Sequence, residues 1–174
     1  RAEHDNIRGD AYEYLMWHFA TESDKSKGQF YTPAEVSRVI AQVIGISPAT
    51  TAYDPTCGSG SLLLKVAAEA TAGLARMNMI LHDNPTALIR QGNTLANPLF
   101  TSDNGQIKTF DYVVANPPFS YRWDPTDAMG DDVRFKNHGL APKSAADFAF
   151  LLHGFHFLKD EGVMAIILPH GVLF

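Results

Sequence analysis

Short apolar runs of strand length alternate along this chain with segments of helical periodicity. Phe110–Ala115 and Val163–Leu168 are apolar almost throughout, with Asp111 as the exception, and Thr51–Asp54 is a shorter run. Strands that are apolar on both faces are typical of parallel sheets covered by helices on both sides. We therefore expect an α/β fold with a mostly parallel sheet, in which ligands bind beyond the carboxyl ends of the strands.

Helical patterns occupy four segments, and two of these segments begin with capping signals. Thr32 is a candidate N-cap, Pro33 fits the first helical position, and Glu35 completes a capping box. Ser144 and Asp147 form a second capping box. Three of the helical segments are residues 6–22, 33–44 and 61–70, and the fourth follows the second capping box and includes Phe148 to Leu158.

The same patterns predict packing faces and loops. Gly45 ends the first capped helix, and Ala87–Gln91 is a candidate strand. Tyr121–Pro142 has no clear period and is expected to be a long loop of the kind that is more often functional. The apolar residues of the first capped helix are Val36, Val39, Ile40, Val43 and Ile44. Those expected to form one face of the second are Phe148, Leu151, Leu152, Phe155 and Leu158.

The composition limits the classes of protein to which the chain can belong. Of 174 residues, 45% are hydrophobic, which is enough for one domain with a sizeable core. Cys57 is the single cysteine, so no disulfide framework is expected, and no apolar run has the length of a bilayer span. These features predict a cytoplasmic protein with no membrane partner. Because the chain begins with Arg1 and stops after a strand-like run, we expect a piece of a longer protein.

The net charge of −5 is unfavourable for a protein that holds DNA on its own. Either the basic surface is local, or a partner supplies it. Six basic residues fall in predicted loops, where they are either solvated charges or contacts to DNA phosphates. They are Lys25, Lys27, Arg122, Arg134, Lys136 and Lys143.

The first motif is Asp54-Pro-Thr-Cys-Gly-Ser-Gly60, which joins a strand to a helix. Gly58 and Gly60 permit a tight turn and a close approach of a ligand to the backbone. A plain tight turn would contain the same glycines, so the motif by itself is weak. No Lys-Ser or Lys-Thr follows the glycines, which disfavours a phosphate-binding loop.

The second motif, Asn116-Pro117-Pro118-Phe119, follows the most apolar run and is more specific. The Asn116 amide oxygen and a backbone carbonyl held by two prolines can both accept hydrogen bonds from one NH2 group. Phe119 offers a flat face to a planar base, so the motif suits a planar amine nucleophile. The alternative is a proline turn that only ends a strand. If the strands before the two motifs are neighbours, both motifs open into one crevice.

Four motifs appear in the order seen in amino-methyltransferases that act on DNA, and the chain resembles this family. They are Gly28-Gln-Phe-Tyr-Thr-Pro33, Asp54–Gly60, Gly92-Asn-Thr-Leu95 and Asn116–Phe119. In detail it resembles the modification subunit of type I restriction–modification systems. The resemblance implies a Rossmann-like methyltransferase fold that binds S-adenosylmethionine. Residues 1–27 would end a helical N-terminal region, and residues 28–174 would form an incomplete catalytic core.

The resemblance also implies a cofactor site. Thr32 would lie near the carboxylate of the methionine end, and Gly58 would lie against the methionine and ribose. Relatives outside the type I group have Asp where Asn93 stands, but the Asn93 amide oxygen can still accept a bond from the adenine amino group. The implied cofactor-binding residues are Gln29, Phe30, Tyr31, Thr32, Pro33, Ala34, Asp54, Gly58, Ser59, Gly60, Asn93, Thr94 and Leu95.

By the same resemblance, the catalytic residues are Asn116, Pro117, Pro118 and Phe119. Asn116 and Pro117 would accept from the target amino group, and Phe119 would stack on the flipped base. The implied partners are double-stranded DNA, a specificity subunit with two modification subunits, and a restriction subunit. Two alternatives remain: a catalytically silent DNA-binding subunit on the same fold, and a protein-glutamine methyltransferase, in which Asn-Pro-Pro is usually followed by Tyr.

One part of the family pattern is missing. A second strand should follow the helix at residues 61–70 and end in an acid that binds the ribose hydroxyls. We expect that residues are missing from the sequence between Val66 and Leu74. The alternative is that Met77–His82 is this strand and Asp83 is the acid.

A cysteine and two histidines have ordinary interpretations. Cys57 lies in the glycine turn and not in a base-facing loop after a proline, so methylation of a cytosine ring is not expected. His153 and His156 are three residues apart on a helix, but no third ligand is evident. We therefore expect surface histidines and no metal.

Overall fold

The computed structural model describes most of the chain after Asp83 and shorter stretches before it. The described residues are 7, 11, 14, 15, 18, 32, 34–45, 50–57, 73, 75–77, 79, 80 and 84–173. The chain divides into two units. The larger unit is Thr32–Cys57 with Gly92–Phe174, and the smaller unit is Arg1–Tyr31 with Gly58–Gln91.

Three parallel strands form the sheet of the larger unit, in the order β1-β2-β3. β1 is Ala52–Tyr53, β2 is Phe110–Ala115 and β3 is Leu158–Ile166. The expected α/β fold with a parallel sheet is therefore confirmed. So is the condition for a shared crevice, because the strands that lead to Asp54 and Asn116 are direct neighbours.

β3 begins earlier than the sequence predicted, at Leu158 rather than Val163. Its register against the first residues of β2 shifts, so the polar residues before Val163 form an irregularity within the strand. A Cβ added at Gly162 would lie 3.0 Å from the Asp111 carbonyl oxygen. Gly162 therefore permits a close approach of two backbones within the sheet, rather than a turn before it.

The helix α1, Ala34–Ile44, occupies the segment predicted from the first capping pattern. It ends at Gly45, whose φ of 63° is the left-handed conformation that glycine adopts readily. Ile44 is buried, but Val39 and Val43 are mostly exposed. α1 packs on β3, but only part of its apolar face is buried there, so the predicted packing face is only partly correct.

The helix α2, Asp147–His156, packs on β2 and β3. It approaches the sheet closely at Gly154, where an added Cβ would lie 2.6 Å from Met164 Cε. The buried side of α2 therefore includes its smallest residue, whereas Phe148 and Phe155 are exposed. The apolar face predicted from spacing is not the face that the sheet buries, because close contact with the sheet requires small side chains.

The segment Tyr121–Pro142, which was expected to be a long loop, contributes to the core. It includes the short 3-10 helix Asp127–Asp131, and another such helix is His170–Val172. One core cluster joins this segment to α2, and a second joins β1 to β2. The buried members of the first are Leu95, Trp123, Met129, Phe135, Ala141, Ala146, Ala149 and Phe150, and those of the second are Tyr53, Phe110, Val113 and Phe157.

In the smaller unit, the residues that the structure describes between 7 and 18 and between 73 and 80 are helical. The alternative strand at Met77–His82 is therefore wrong, since residues 77, 79 and 80 lie in a helix. The strand predicted at Ala87–Gln91 is also absent, and the Ile89 carbonyl accepts a hydrogen bond from Arg76 Nη2 at 3.2 Å. The predicted helix at 61–70, the junction at 66–72 and Asp83 lie outside the described residues.

Within the described ranges, no helix combines the length and apolar character that crossing a membrane would require.

Candidate functional site

Asn116 directly follows β2 and is held by a residue that precedes α1. Its amide nitrogen Nδ2 donates a hydrogen bond to Thr32 Oγ1 at 3.1 Å, across 84 residues of sequence. Both side chains are half-buried. This bond engages the amide nitrogen, so the donors of the amide point toward Thr32 and its oxygen points elsewhere. Two residues that the sequence assigned to different motifs are thus in contact.

The turn after Asn116 combines a buried proline with an exposed aromatic ring. Pro117 is fully buried, whereas Phe119 is 51% exposed. Ser120 follows with a φ of 51°, a left-handed conformation that is uncommon for residues other than glycine. A strained backbone of this kind persists only where neighbouring groups hold it. The Phe119 ring is thus exposed to solvent on a turn whose backbone is held in place.

The residue that holds this turn is Asp147, at the start of α2. Its Oδ1 accepts a hydrogen bond from the Ser120 N–H at 3.2 Å, and the Ala146 N–H donates to the Tyr121 carbonyl at 2.9 Å. No side-chain hydrogen bond caps α2, so the capping box predicted for Ser144 and Asp147 is wrong. Asp147 is buried and binds the turn instead of its own helix. Sequence spacing could not reveal this contact, because any Asp in a first helical turn has the same pattern.

The turn that follows β1 is closed by hydrogen bonds to its first residue, Asp54. Asp54 Oδ1 accepts from the Thr56 N–H at 2.8 Å and from the Thr56 hydroxyl at 3.1 Å, which closes a side-chain turn. Cys57 is exposed at its end. Gly58–Gly60 lie outside the described residues, as do Gln29–Tyr31 and Pro33.

The segment Asn93–Leu95 lies against this turn. Thr94 Oγ1 donates to the Pro55 carbonyl at 2.8 Å, and Leu95 is buried in the first core cluster. The Asn93 amide oxygen accepts from the N–H groups of Leu95 at 3.2 Å and Ala96 at 3.0 Å. Those two bonds occupy the oxygen that was expected to accept from the cofactor. In this structure Asn93 therefore shapes its own turn.

Arg134 fills the space between these segments and α2, and its side chain is fully buried. All five of its N–H donors are engaged. Nε and Nη2 donate to the two carboxylate oxygens of Asp132 at 2.9 and 2.7 Å. The other donors reach the carbonyls of Thr94 at 3.2 Å and Leu95 at 2.8 Å, and His153 Nδ1 at 2.9 Å. Arg134 thus connects Thr94 and Leu95 to α2 and to its own segment, Tyr121–Pro142.

The protonation of His153 follows from these contacts. A guanidinium group only donates hydrogen bonds, so His153 Nδ1 accepts and the ring proton resides on Nε2. Nε2 then donates to the Tyr53 hydroxyl oxygen at 3.0 Å. Burial, assisted by the charge of Arg134, lowers the pKa of His153 to about 3, and burial raises the pKa of the Tyr53 phenol. Both groups are neutral near pH 7.

Two expectations about these side chains are wrong. His153 was expected at the surface but is fully buried, and Arg134 was a candidate for DNA contact but cannot reach solvent. Of the other loop cations, Arg122 and Lys136 are exposed, and Lys143 pairs with Asp124 at 2.9 Å. Lys25 and Lys27 lie outside the described residues.

The described part of the chain contains no group of three or more residues arranged to hold a metal ion. Two contacts instead unite the predicted site residues: Thr32 with Asn116, and Thr94 with the turn at Asp54. Asn116 and Asp54 follow neighbouring parallel strands, so the two groups lie at the same edge of the sheet. In this arrangement the Asn116 amide oxygen and the Phe119 ring can contact one ligand. The turn at Asp54 can contact a second ligand beside it.

Comparison with known proteins identifies the family. The family model described as N-6 DNA Methylase matches residues 3–70 and 67–174. The type I restriction enzyme MpnII methylase subunit of Mycoplasma pneumoniae is 38% identical, over 95% of this chain and 36% of that protein. The MjaVII methylase subunit of Methanocaldococcus jannaschii is 32% identical, over 95% of this chain and 32% of that protein. The chain therefore spans about a third of the length of these relatives.

A solved structure has the same fold. The type I restriction-modification system methyltransferase subunit from Streptococcus thermophilus superposes with a TM-score of 0.83 at 44% identity, covering 98% of this chain and 40% of that one. Together with the family match over nearly the whole sequence, this shows that the chain belongs to the N-6 DNA methylase family.

Proposed function

We propose that this chain is the catalytic core of a modification subunit that transfers a methyl group from S-adenosylmethionine to the amino group of a flipped adenine in DNA. One observation carries the proposal: Asn116 and the Asp54 turn follow adjacent parallel strands. The carboxyl ends of such strands are where ligands bind in open α/β sheets. Two ligands held there would be close enough to react directly.

On the side of the target, the Asn116–Phe119 turn supplies the required groups. The amino nitrogen of adenine is a poor nucleophile, because its lone pair is delocalised into the ring. Hydrogen bonds from its two N–H groups to Asn116 Oδ1 and the Pro117 carbonyl would hold the nitrogen in position and stabilise the charge that it gains. The exposed Phe119 ring would stack on the base after it leaves the duplex.

On the side of the cofactor, the fit rests on the contact between Thr94 and Pro55, which brings two candidate binding segments together. The Asp54 turn would lie beside the methionine and ribose, and Thr94 and Leu95 would contribute to the adenine pocket. Because backbone N–H groups occupy the Asn93 oxygen, we propose that Asn93 shapes this pocket rather than reading the adenine. S-adenosylmethionine, when bound, supplies an electrophilic methyl group on a sulfonium. Residues 28–174 would form this core, and the other predicted cofactor-binding residues are Gln29–Ala34 and Gly58–Gly60.

The assembly in which this subunit would act has several partners. We propose that the subunit acts in the cytoplasm with double-stranded DNA, a specificity subunit that binds two modification subunits, and a restriction subunit. The net charge of −5 supports this proposal, since a chain with this charge needs a partner or a local basic surface to hold DNA. The names of the relatives also describe methylase subunits of type I restriction enzymes.

The proposal is tested with the full-length subunit assembled with its specificity subunit and DNA. Transfer of a labelled methyl group is measured under single-turnover conditions, and the methylated atom is mapped. The wild-type complex should methylate the amino group of adenine. Asn116→Ala should lower the rate by roughly 100-fold or more, because the lost contact strengthens in the transition state. Cofactor affinity should change much less.

Asn104→Ala is the matched control, since Asn104 is an exposed amide in the turn between Thr101 and Ile107. This variant should methylate at the wild-type rate. Methyl transfer by Asn116→Ala at close to the wild-type rate would show that the site is wrongly assigned. Cofactor binding without methylation of any DNA would favour the catalytically silent subunit, and methylation of a protein glutamine would favour the other alternative.

A further inference from the structure

We infer that Thr32 is a positioning residue for the reaction and acts through Asn116. The inference rests on the proposed function, because it assigns Thr32 a role in the chemical step that Asn116 is proposed to assist. Its basis is the hydrogen bond from Asn116 Nδ2 to Thr32 Oγ1 at 3.1 Å. Nothing in the local sequence around either residue predicts this pair.

The chemistry of the amide makes this contact consequential. An asparagine side chain carries two donors on Nδ2 and an acceptor on Oδ1, and rotation about its last bond exchanges them. If Nδ2 faced the target amine, donors would oppose donors and the amine could not be held. The contact with Thr32 engages Nδ2, so the acceptor Oδ1 remains on the side away from Thr32. A single hydrogen bond thereby selects the productive face of the amide.

The surroundings of the pair make Thr32 a suitable anchor. Thr32 lies just before α1, which packs on β3, and Asn116 directly follows β2, which pairs with β3. Both partners are therefore mounted on elements of the same sheet assembly within the larger unit. Pro117 is fully buried and limits movement of the backbone on the other side of Asn116. The remaining freedom of Asn116 is rotation of its side chain, which the bond to Thr32 restricts.

The test compares Thr32→Val with Thr32→Ser in the complete complex with DNA. Valine keeps the branched shape but removes the acceptor, whereas serine keeps the hydroxyl. At saturating cofactor, Thr32→Val should methylate roughly 5- to 10-fold more slowly, which is the effect of losing one neutral hydrogen bond. Thr32→Ser should stay within about 2-fold of wild type, since the same bond can form. Thr109→Val, which alters an exposed threonine, should have the wild-type rate.

The measured rate at saturating cofactor separates this role from cofactor binding. If Thr32→Val only weakens cofactor affinity and regains the full rate at saturation, the positioning role is overturned and the proposed function stands. Equal losses in the valine and serine variants would also overturn it, because the hydrogen bond would then be irrelevant. Should Thr32→Val unfold, Thr32→Ala is measured in its place. A wild-type rate in Asn116→Ala would instead refute the proposed function itself.

Discussion

Two regions of the larger unit differ in how much of their side-chain surface is exposed to solvent. The Arg134 network, consisting of Arg134, Asp132, His153 and Tyr53, lies almost entirely inside the protein. The Asn116–Phe119 turn ends in an aromatic ring that is 51% exposed. Charged groups are buried in the Arg134 network, where no reaction is proposed. An apolar ring is exposed in the Asn116–Phe119 turn, where methyl transfer is proposed. The buried polar groups therefore maintain the scaffold, whereas the exposed ring is available to a ligand.

The largest expected effect is that of removing the cation from the network. Arg134→Met leaves the Asp132 carboxylate and His153 Nδ1 without their donor, and also the Thr94 and Leu95 carbonyls. Asp132 is 26% exposed, but each buried acceptor left without a donor costs about 1–3 kcal/mol, so the free energy of unfolding should fall by roughly 3–5 kcal/mol. Urea unfolding of the full-length subunit measures the change. Arg122→Met is the control, because Arg122 is exposed. If Arg134→Met lowered the free energy of unfolding no more than Arg122→Met does, the Arg134 network would not be what stabilises the fold.

The next largest effect is expected in the Asn116–Phe119 turn and concerns binding of the target base. Phe119→Ala should weaken capture of the flipped adenine by roughly 1–3 kcal/mol, the range for stacking of a base on an aromatic ring. Phe119→Tyr should have a milder effect, because the flat face remains. Neither change should alter stability, since the ring is half exposed. The fluorescence of 2-aminopurine at the target position reports base capture in the assembled complex.

Phe148→Ala is the matched control for Phe119, since Phe148 is similarly exposed but lies on α2. It should leave base capture unchanged. If Phe119→Ala captured the base as well as wild type while unfolding more easily, the ring would belong to the scaffold and the distinction would fail.

A smaller effect is a pH dependence of stability that originates in the network. His153 is neutral in the folded protein, because burial lowers its pKa to about 3. In the unfolded chain it gains a proton below about pH 6.5. Since the unfolded state then binds more protons, stability falls as the pH decreases from 6.5 toward 3 and is unaffected above that window. At pH 5 the loss from this residue should be about 2 kcal/mol.

His153→Gln provides the comparison for this prediction, because glutamine can accept from Arg134 and donate to Tyr53 without titrating. Unfolding of wild type and variant is measured at pH 7.5 and pH 5. The wild type should lose more stability than the variant over this interval. Equal losses in the two proteins would mean that His153 is not held neutral by its surroundings.

The smallest effect is expected for an ion pair outside both regions. Lys159 Nζ lies 2.8 Å from Asp111 Oδ1, and hydrogen bonds from Lys159 and Thr51 lower the pKa of Asp111. Both partners of the ion pair are partly open to solvent, where side-chain entropy and salt offset the attraction. Lys159→Met should therefore leave the unfolding midpoint unchanged within error. A loss comparable to that of Arg134→Met would show that burial does not distinguish these pairs.

Local sequence patterns were sufficient to predict α1, the strands and the positions of the motifs. The capping pattern predicted α1, the apolar runs predicted the strands, and both motifs follow the strands where they were expected. These features depend on residues within a few positions of one another, and periodicity or turn preference is sufficient to predict them. The order of the motifs also indicated the family.

Contacts between distant side chains could not be predicted in this way, because they depend on how the chain folds. The contact of Thr32 with Asn116 spans 84 residues, and that of Thr94 with Pro55 spans 39. Arg134 could be assigned to solvent or to DNA from the sequence, but the structure buries it among carbonyls and a carboxylate. On α2, close packing against the sheet selected a side that includes Gly154 and left Phe148 exposed. Local spacing reports a residue's neighbours along the chain, whereas burial depends on distant segments that fold against it.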